Sequence, residues 1–396
     1  MGVFKYSPVD FLFTCLGLVF LLLDIVLDVW AVVTLYQEKA YVSFSVLLLF
    51  LVGSSFLVQA FSWLWYSYED FRKYTKVDKY VNEGQLKILH LLQLGIYFRL
   101  CKLALTLEVL VFSKSSRLHV AVFLSHDLSM LRLIETFSES APQLVLMLTI
   151  MLQRGELDHW AGAVCSSSIA CSVTMYHRSL RSFLPDKQKQ LIGSSIIYFL
   201  WNLLLVASRI AALALFASAL PCFIVTHFVC SWVVLFFFVW RSKTNFMDGP
   251  CGEWLYRATV GLIWYFDWFN VGEGRTRFRT LIYHGYMLID ISLLCGLWCW
   301  KMITEPPYFE IPPPCAIITA VCVCAFYVLG LVFKMIYYKF CHPNLVKADL
   351  EGDDSEIAPG AAVTLKYTYL QCLAPCPRIP AVTEFLHYFG FQLKPV

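Results

Sequence analysis

The sequence predicts an all-α polytopic membrane protein: eight transmembrane helices plus two re-entrant helical segments in two parallel repeats, followed by a cytoplasmic tail. Three observations predict this. Of 396 residues, 59% are hydrophobic and only 15% charged, with a mean hydropathy of +0.65, more apolar surface than a soluble globule hides. The apolar runs last about 20 residues, the length a helix rising 1.5 Å per residue needs to cross roughly 30 Å of hydrocarbon, rather than the 10-residue alternation of a barrel strand. Lysine and arginine collect between those runs, where they report orientation. A net charge of +3 is too small to imply nucleic acid.

In chain order the candidate segments are Phe11–Leu35, Val42–Trp65, Leu86–Phe112, Leu128–Leu152, Trp160–Leu180, Ile192–Phe216, Pro221–Trp240, Trp254–Val271, Leu281–Trp300 and Cys315–Tyr338. The first has no short apolar core with a small-residue cleavage site and reads as a retained span. Leu86–Phe112 carries His90, Arg99, Lys102 and Glu108, and Trp254–Val271 is short and holds Asp267. Basic loops follow the second segment (Arg72, Lys73, Lys76, Lys79), the fifth (Arg178, Arg181, Lys187, Lys189) and the seventh (Arg241, Lys243), whereas Pro306–Pro314 has no Lys or Arg. If all ten segments crossed, some basic loops would lie outside. If the third and eighth dip and return, every basic loop and both termini are cytoplasmic. Dipping backbone is tolerated only inside protein or beside a polar cavity, so the choice also predicts a polar interior.

Segments one to four then read span, span, dip, span, and six to nine repeat that order. The expected units are 1–153 (spans 11–35, 42–65 and 128–152, re-entrant 86–112), a connecting span within 154–190, a second repeat 191–301 (re-entrant 254–271), a last span within 302–340, and a regulatory tail 341–396. Parallel repeats related by an axis along the membrane normal are a transporter device, with function at their interface.

Asp24 and Asp28 stand one helical turn apart in the first segment, where an ionised carboxylate costs roughly 2.5–3.5 kcal/mol at mid-membrane. Arg99, Asp127, Arg132, Glu135, Glu139, Arg209 and Asp290 add charge at membrane depth, with His227 as a titratable neighbour. Arg132, Glu135 and Glu139 share one helix face by spacing, and Pro142 removes a backbone donor below them. Buried ion pairs that only join helices, Arg99 or Arg209 with the aspartates for example, explain any single residue. The whole set fits a pathway better, for an ion, a proton or a phospholipid headgroup.

Nucleotide-loop, H-E-x-x-H and nucleophile-elbow motifs are missing from the sequence, so transport without ATP hydrolysis by this chain is expected, with no catalytic residue, metal or cofactor. Cys372 and Cys376 with His387 form a spacing common by chance. Most of the 15 cysteines lie in apolar segments as small hydrophobes. The aromatic groups Phe61–Trp65 and Trp264–Phe269 read as interfacial belts.

Certain stretches carry more information: Phe61-Ser-Trp-Leu-Trp65, Leu128-Ser-Met-Leu-Arg-Leu-Ile-Glu-Thr-Phe137, Ala141-Pro-Gln143, Tyr198-Phe-Leu-Trp-Asn202, Glu253-Trp-Leu-Tyr-Arg257, and Phe269-Asn270 with Glu273-Gly-Arg-Thr-Arg277. Over about residues 10–343 the chain resembles the XK-related family of membrane proteins, and Phe199–Leu205 with Gly274–Arg277 looks most like a caspase-activated branch of it. The resemblance implies an ATP-independent phospholipid scramblase of the plasma membrane, which moves phosphatidylserine to the outer leaflet in apoptosis once a caspase-3-type protease removes part of the tail. It also implies that Asp24, Asp28, Arg99, Asp127, Arg132, Glu135, Glu139, Arg209 and Asp290 line the lipid route, and that a single-span glycoprotein of the basigin or neuroplastin type is a partner. One position departs: Met175 stands before Tyr176-His177-Arg178 where the family pattern has an acid, and Asp267 is an acid the pattern does not anticipate.

After Tyr338 the chain turns polar, and Lys347–Ser355 is acidic between Pro343 and Pro359, an extended exposed linker by composition. Caspase cleavage after Asp354 would place Glu351 and Ser355 in favoured positions; cleavage after Asp353 is the alternative. Beyond it, Ile379, Val382, Phe385, Leu386 and Phe389 recur at helical spacing after Pro380,. That inhibitory helix is expected to dock on the cytoplasmic mouth and leave on cleavage. Two other readings stay open: an ion-coupled secondary transporter of a small zwitterionic solute, and a structural partner of another membrane protein.

Overall fold

The computed structural model describes residues 8–68, 81–112, 118–155, 159–183, 190–242, 244, 246–271, 276–308 and 311–342. The tail residues Asp353, Asp354, Ile379, Val382, Phe385, Leu386 and Phe389 lie outside them. The described residues form helices α1 (Pro8–Gln37), α2 (Tyr41–Tyr68), α3 (Glu83–Leu91), α4 (Gly95–Phe112), α5 (Leu118–Glu135), α6 (Ala141–Arg154), α7 (His159–Phe183), α8 (Ile192–Ala219), α9 (Pro221–Arg241), α10 (Pro250–Phe266), α11 (Arg277–Thr304) and α12 (Pro313–Ile336), with no strand among them. Helix ends follow local chemistry. Gly155 caps α6 in the left-handed region at φ 72°, and prolines occupy the first turns of α9, α10 and α12, where the missing N–H costs nothing,.

By length and composition, Tyr41–Tyr68, Ile192–Ala219, Pro221–Arg241, Arg277–Thr304 and Pro313–Cys341 can each cross a bilayer. The chain is a polytopic helical membrane protein. Its hub is α8, two thirds buried over its most apolar stretch against one sixth for α2 and α9, and packed on α6, α7, α9, α10, α11 and α12. The peripheral helices instead turn Leu, Val, Ile and Phe outward, as bilayer-facing surfaces do,.

The expected single dip at 86–112 is two helices. Glu83–Leu91 and Gly95–Thr106 meet at 118°, with Gln93 at φ 64° in the break. Polar groups halfway along α2 hold the tip: Gln59 Nε2 donates to the Gln93 carbonyl (2.9 Å) and Ser55 Oγ to its side-chain oxygen (2.7 Å). A helical hairpin whose tip sits at mid-height of a spanning helix satisfies its loop backbone inside the protein.

The expected span 128–152 is the centre of a longer helix that runs from Leu118 to Arg154 through a π-turn at Thr136–Ser140. Pro142 explains the turn better than a kink would. It has no N–H for the α-helical ladder, and the widened turn lets the Ala141 N–H bond the Thr136 carbonyl five residues back,. Ser138 Oγ caps the Ile134 carbonyl at 2.8 Å and Thr136 Oγ1 the Arg132 carbonyl at 2.7 Å. Over the expected second dip, 254–271, α10 is helical to Phe266 and residues 267–271 form no regular helix.

Candidate intramembrane charge sites

Asp24 and Asp28 of α1 face the π-turn. Arg132 Nη2 donates to Asp24 Oδ2 at 2.8 Å, and its Nη1 lies 2.9 Å from Glu135 Oε2, off the hydrogen-bond direction. Ser140 Oγ is 3.4 Å from Asp24 Oδ2. Asp28 lies beside Glu139 and Gln143, and Glu139 beside Ser54. One guanidinium therefore answers four carboxylates. The site is partly accessible: the Asp24, Arg132 and Glu135 side chains are 20%, 13% and 17% exposed, Asp28 and Glu139 are buried, and the α1 neighbours Leu23, Val26 and Leu27 point outward. The partner of Asp24 is thus Arg132, not Arg99 or Arg209.

Arg99, on the returning arm of the hairpin, is shut in. Its Nη1 donates to Asp127 Oδ2 at 2.6 Å, its Nε and Nη2 to Oγ and the carbonyl of Ser62 at 3.0 Å each, and its guanidinium lies 3.9 Å from the Tyr66 ring. The side chains of the pair are 1% and 6% exposed. Ser62, unremarked in the sequence, also meets His90 Nε2 at 3.0 Å, so the hairpin, α2 and α5 close around one hydroxyl.

The third group lies around the hub. Arg209 of α8 donates to Asp290 Oδ2 of α11 (2.5 Å) and to the Tyr265 carbonyl (3.0 Å). His227 of α9 completes it, with Nε2 3.1 Å from Asp290 Oδ1 and Nδ1 3.0 Å from the Tyr265 hydroxyl. Asp290 can only accept, so Nε2 carries the proton and Nδ1 accepts from the tyrosine. The ten residues expected to line one route therefore fall into three groups, two of them enclosed.

Sequence reasoning missed a further buried set. Lys334 Nζ of α12 meets His284 Nε2 at 2.7 Å, and His284 Nδ1 meets the Tyr327 hydroxyl at 2.9 Å. A lysine inside the last apolar run was the available signal. Glu253, part of a distinctive motif, proves architectural: it accepts from Thr244 Oγ1 (2.5 Å) and from the Phe246 and Met247 N–H groups (2.9 and 2.8 Å), with Arg257 alongside. That clamp sets how α9 turns into α10. At Met175 the expected acid is replaced by an apolar chain whose methyl covers Gly17 so closely that a Cβ there would collide.

A profile of the XK-related protein family matches residues 12–343. The chain belongs to the XK-related family. Within it, the chain is similar to "XK-related protein 8" of Tetraodon nigroviridis, 43% identical over 388 residues, covering 95% of this chain and 94% of that relative. It is 44% identical over 356 residues to the protein of that name from Gasterosteus aculeatus (86% of each), and 40% identical over 353 to that from Pan troglodytes (85% and 84%). All three charge groups of this XK-related chain fall inside the matched region.

Proposed function

We propose that the chain is an ATP-independent phospholipid scramblase of the plasma membrane that exposes phosphatidylserine in apoptosis, opened when a caspase cuts the tail after Asp354, or after Asp353. The observation that carries this reading is the partly accessible acidic site on the flank of α1. Lipid headgroups present ammonium and phosphate together. Four carboxylates suit the first and Arg132 the second, while outward-facing Leu23, Val26 and Leu27 leave acyl chains in the bilayer,. The family relationship supports it. The tail helix and the single-span glycoprotein partner belong to the same proposal.

The enclosed Arg209–Asp290–His227 group favours a second reading, an ion-coupled transporter of a small zwitterion, because such transporters bury their site near mid-depth,. Reconstitution separates the two. In liposomes with fluorescent lipid and external dithionite, without ATP, a chain ending at Asp354 should bleach probe beyond the outer-leaflet fraction and the intact chain should not. Bleaching confined to the outer leaflet in both would sink the scramblase reading.

A further inference from the structure

The turn that leaves α11 carries Tyr308 back onto the bundle. Pro306 and Pro307 precede it, two rings that fix their own φ and stiffen the approach, and the tyrosine hydroxyl comes to rest between two helices. Trp298 Nε1 of α11 lies 3.2 Å from it, and Ser218 Oγ at the end of α8 lies 3.0 Å from it. The direction of each bond follows. An indole N–H only donates, and Ser218 Oγ already donates to the Leu215 carbonyl at 2.7 Å, so the tyrosine accepts from Trp298 and donates to Ser218. The Ser218 carbonyl in turn accepts from Gln153 Nε2, in the last turn of α6, at 3.1 Å. Three helices and one turn are thereby knotted at a serine that is 1% exposed and a tryptophan that is 2% exposed.

Each of those helices leads on to a charge site. Ser218 stands nine residues past Arg209 on α8, and Trp298 eight past Asp290 on α11, roughly 12–14 Å at 1.5 Å per residue. The α6 helix begins beside Ser140, which lies 3.4 Å from Asp24. Between the knot and the Arg209 group, α8 and α11 bury Leu213, Leu294 and Cys295 in one apolar cluster, each 1% exposed. Inside a bilayer such packing gains little over contact with lipid, so polar ties decide whether helices stay together. The α12 helix runs from Pro313 toward the tail, which puts the knot at the end of the bundle remote from the tail. We infer that Tyr308 is a latch: its hydroxyl, held between Trp298 and Ser218, closes the seam of α8 and α11 over the Arg209 group at that end. With the hydroxyl released, the seam parts and the apolar stretch beneath it becomes reachable from water. The functional consequence, freer passage of headgroups at that leaflet, rests on the scramblase reading; the latch itself does not.

The test uses the full chain and the chain ending at Asp354, each as wild type, Tyr308→Phe and Ser218→Ala, in lipid nanodiscs. A charged methanethiosulfonate reagent is added and the modified cysteines are assigned by fragment masses. Cys295 is buried beneath the latch, and its modification should quicken roughly three- to tenfold in both variants, the scale of one interhelical hydrogen bond,. Cys251 is exposed at the start of α10, at the opposite end of the bundle, and should react as in wild type. In liposomes, lipid transfer by the shortened chain should rise severalfold in both variants. Unchanged Cys295 modification, or lipid transfer that falls, overturns the inference. A Cys251 that quickens as well, or an unfolding midpoint lowered by more than a few degrees in Tyr308→Phe, would make Tyr308 a fold anchor and overturn it equally. The Cys295 result decides the latch even if no form of the protein moves lipid, an outcome that would instead remove the scramblase reading.

Discussion

In α1 an aspartate meets an arginine of α5; in α8 an arginine meets an aspartate of α11. Each pair joins two helices, with the signs exchanged between the members. They differ in company and in access. Arg209 is 1% exposed, with Asp290 and His227 at 10% and 15%, and Arg209 Nη2 is the one buried polar atom of its group without a partner among the described residues, whereas Arg132, at 13%, shares its charge with Asp24 and Glu135, at 20% and 17%. Charge balance follows access. A closed site must be nearly neutral and nearly satisfied, since each uncompensated charge costs several kcal/mol there. A site open along its flank can keep a surplus of carboxylates, because water and headgroups supply the counter-charge. On the scramblase reading proposed above, the acid-rich site is the one placed to receive a headgroup, and the Arg209 group the one placed to hold helices in register.

The comparison breaks most visibly if the closed site tolerates loss of a partner. Arg209→Ala should destabilise the protein by about 3–5 kcal/mol, seen as a large fall in the thermal unfolding midpoint in detergent, and Asp290→Ala should act alike. A change of only a degree or two would mean the site is wet. The open site should behave in the opposite way. Asp24→Ala with Asp28→Ala should leave the unfolding midpoint within a few degrees of wild type yet lower lipid transfer by the shortened chain roughly tenfold. Loss of protein from the membrane would assign the aspartates to helix joining.

A smaller effect sharpens the account of the hairpin. Gln59→Leu should cost about 1–2 kcal/mol by stripping one hydrogen bond from the Gln93 turn,, with faster exchange confined to residues 91–95. The smallest effect belongs to the Arg154–Glu38 contact at the loop end, 2.7 Å. The guanidinium holds the Glu38 carboxyl below the usual glutamate range. Whatever the pair contributes is present above the ordinary glutamate value and is lost as pH falls through the lowered one. Unfolding midpoints of wild type and Arg154→Met should therefore differ little at neutral pH and merge in acid.

Composition made the membrane bundle legible, because hydropathy acts over whole segments, and the charges of the third segment set it apart from a plain span, which the structure shows as two helices meeting at 118°. Arg132 and Glu135 were legible as one face because helical spacing decides it, whereas Glu139 lies in a π-turn that spacing did not foresee. Their partners were not. Whether Asp24 meets Arg132, Arg99 or Arg209 depends on helix packing at a separation of 108 residues in sequence, which no local pattern encodes. Ser62 could not be singled out either, since a serine in an apolar helix usually bonds its own backbone. Glu253 stood out only as part of a motif, and the structure occupies it with the loop before α10.

The π-turn at Thr136–Ser140 has a geometric corollary. It holds one residue more than the same stretch of α-helix, so closing it to regular α-helix with every residue kept would turn one half of the long helix by about 100° relative to the other. Arg132 would then swing away from Asp24, and the Ser138 carbonyl would face Pro142, which has no N–H to give it,. The long helix carries, as a single surplus residue, the means to index its charged face by one position, with Pro142 set against the change.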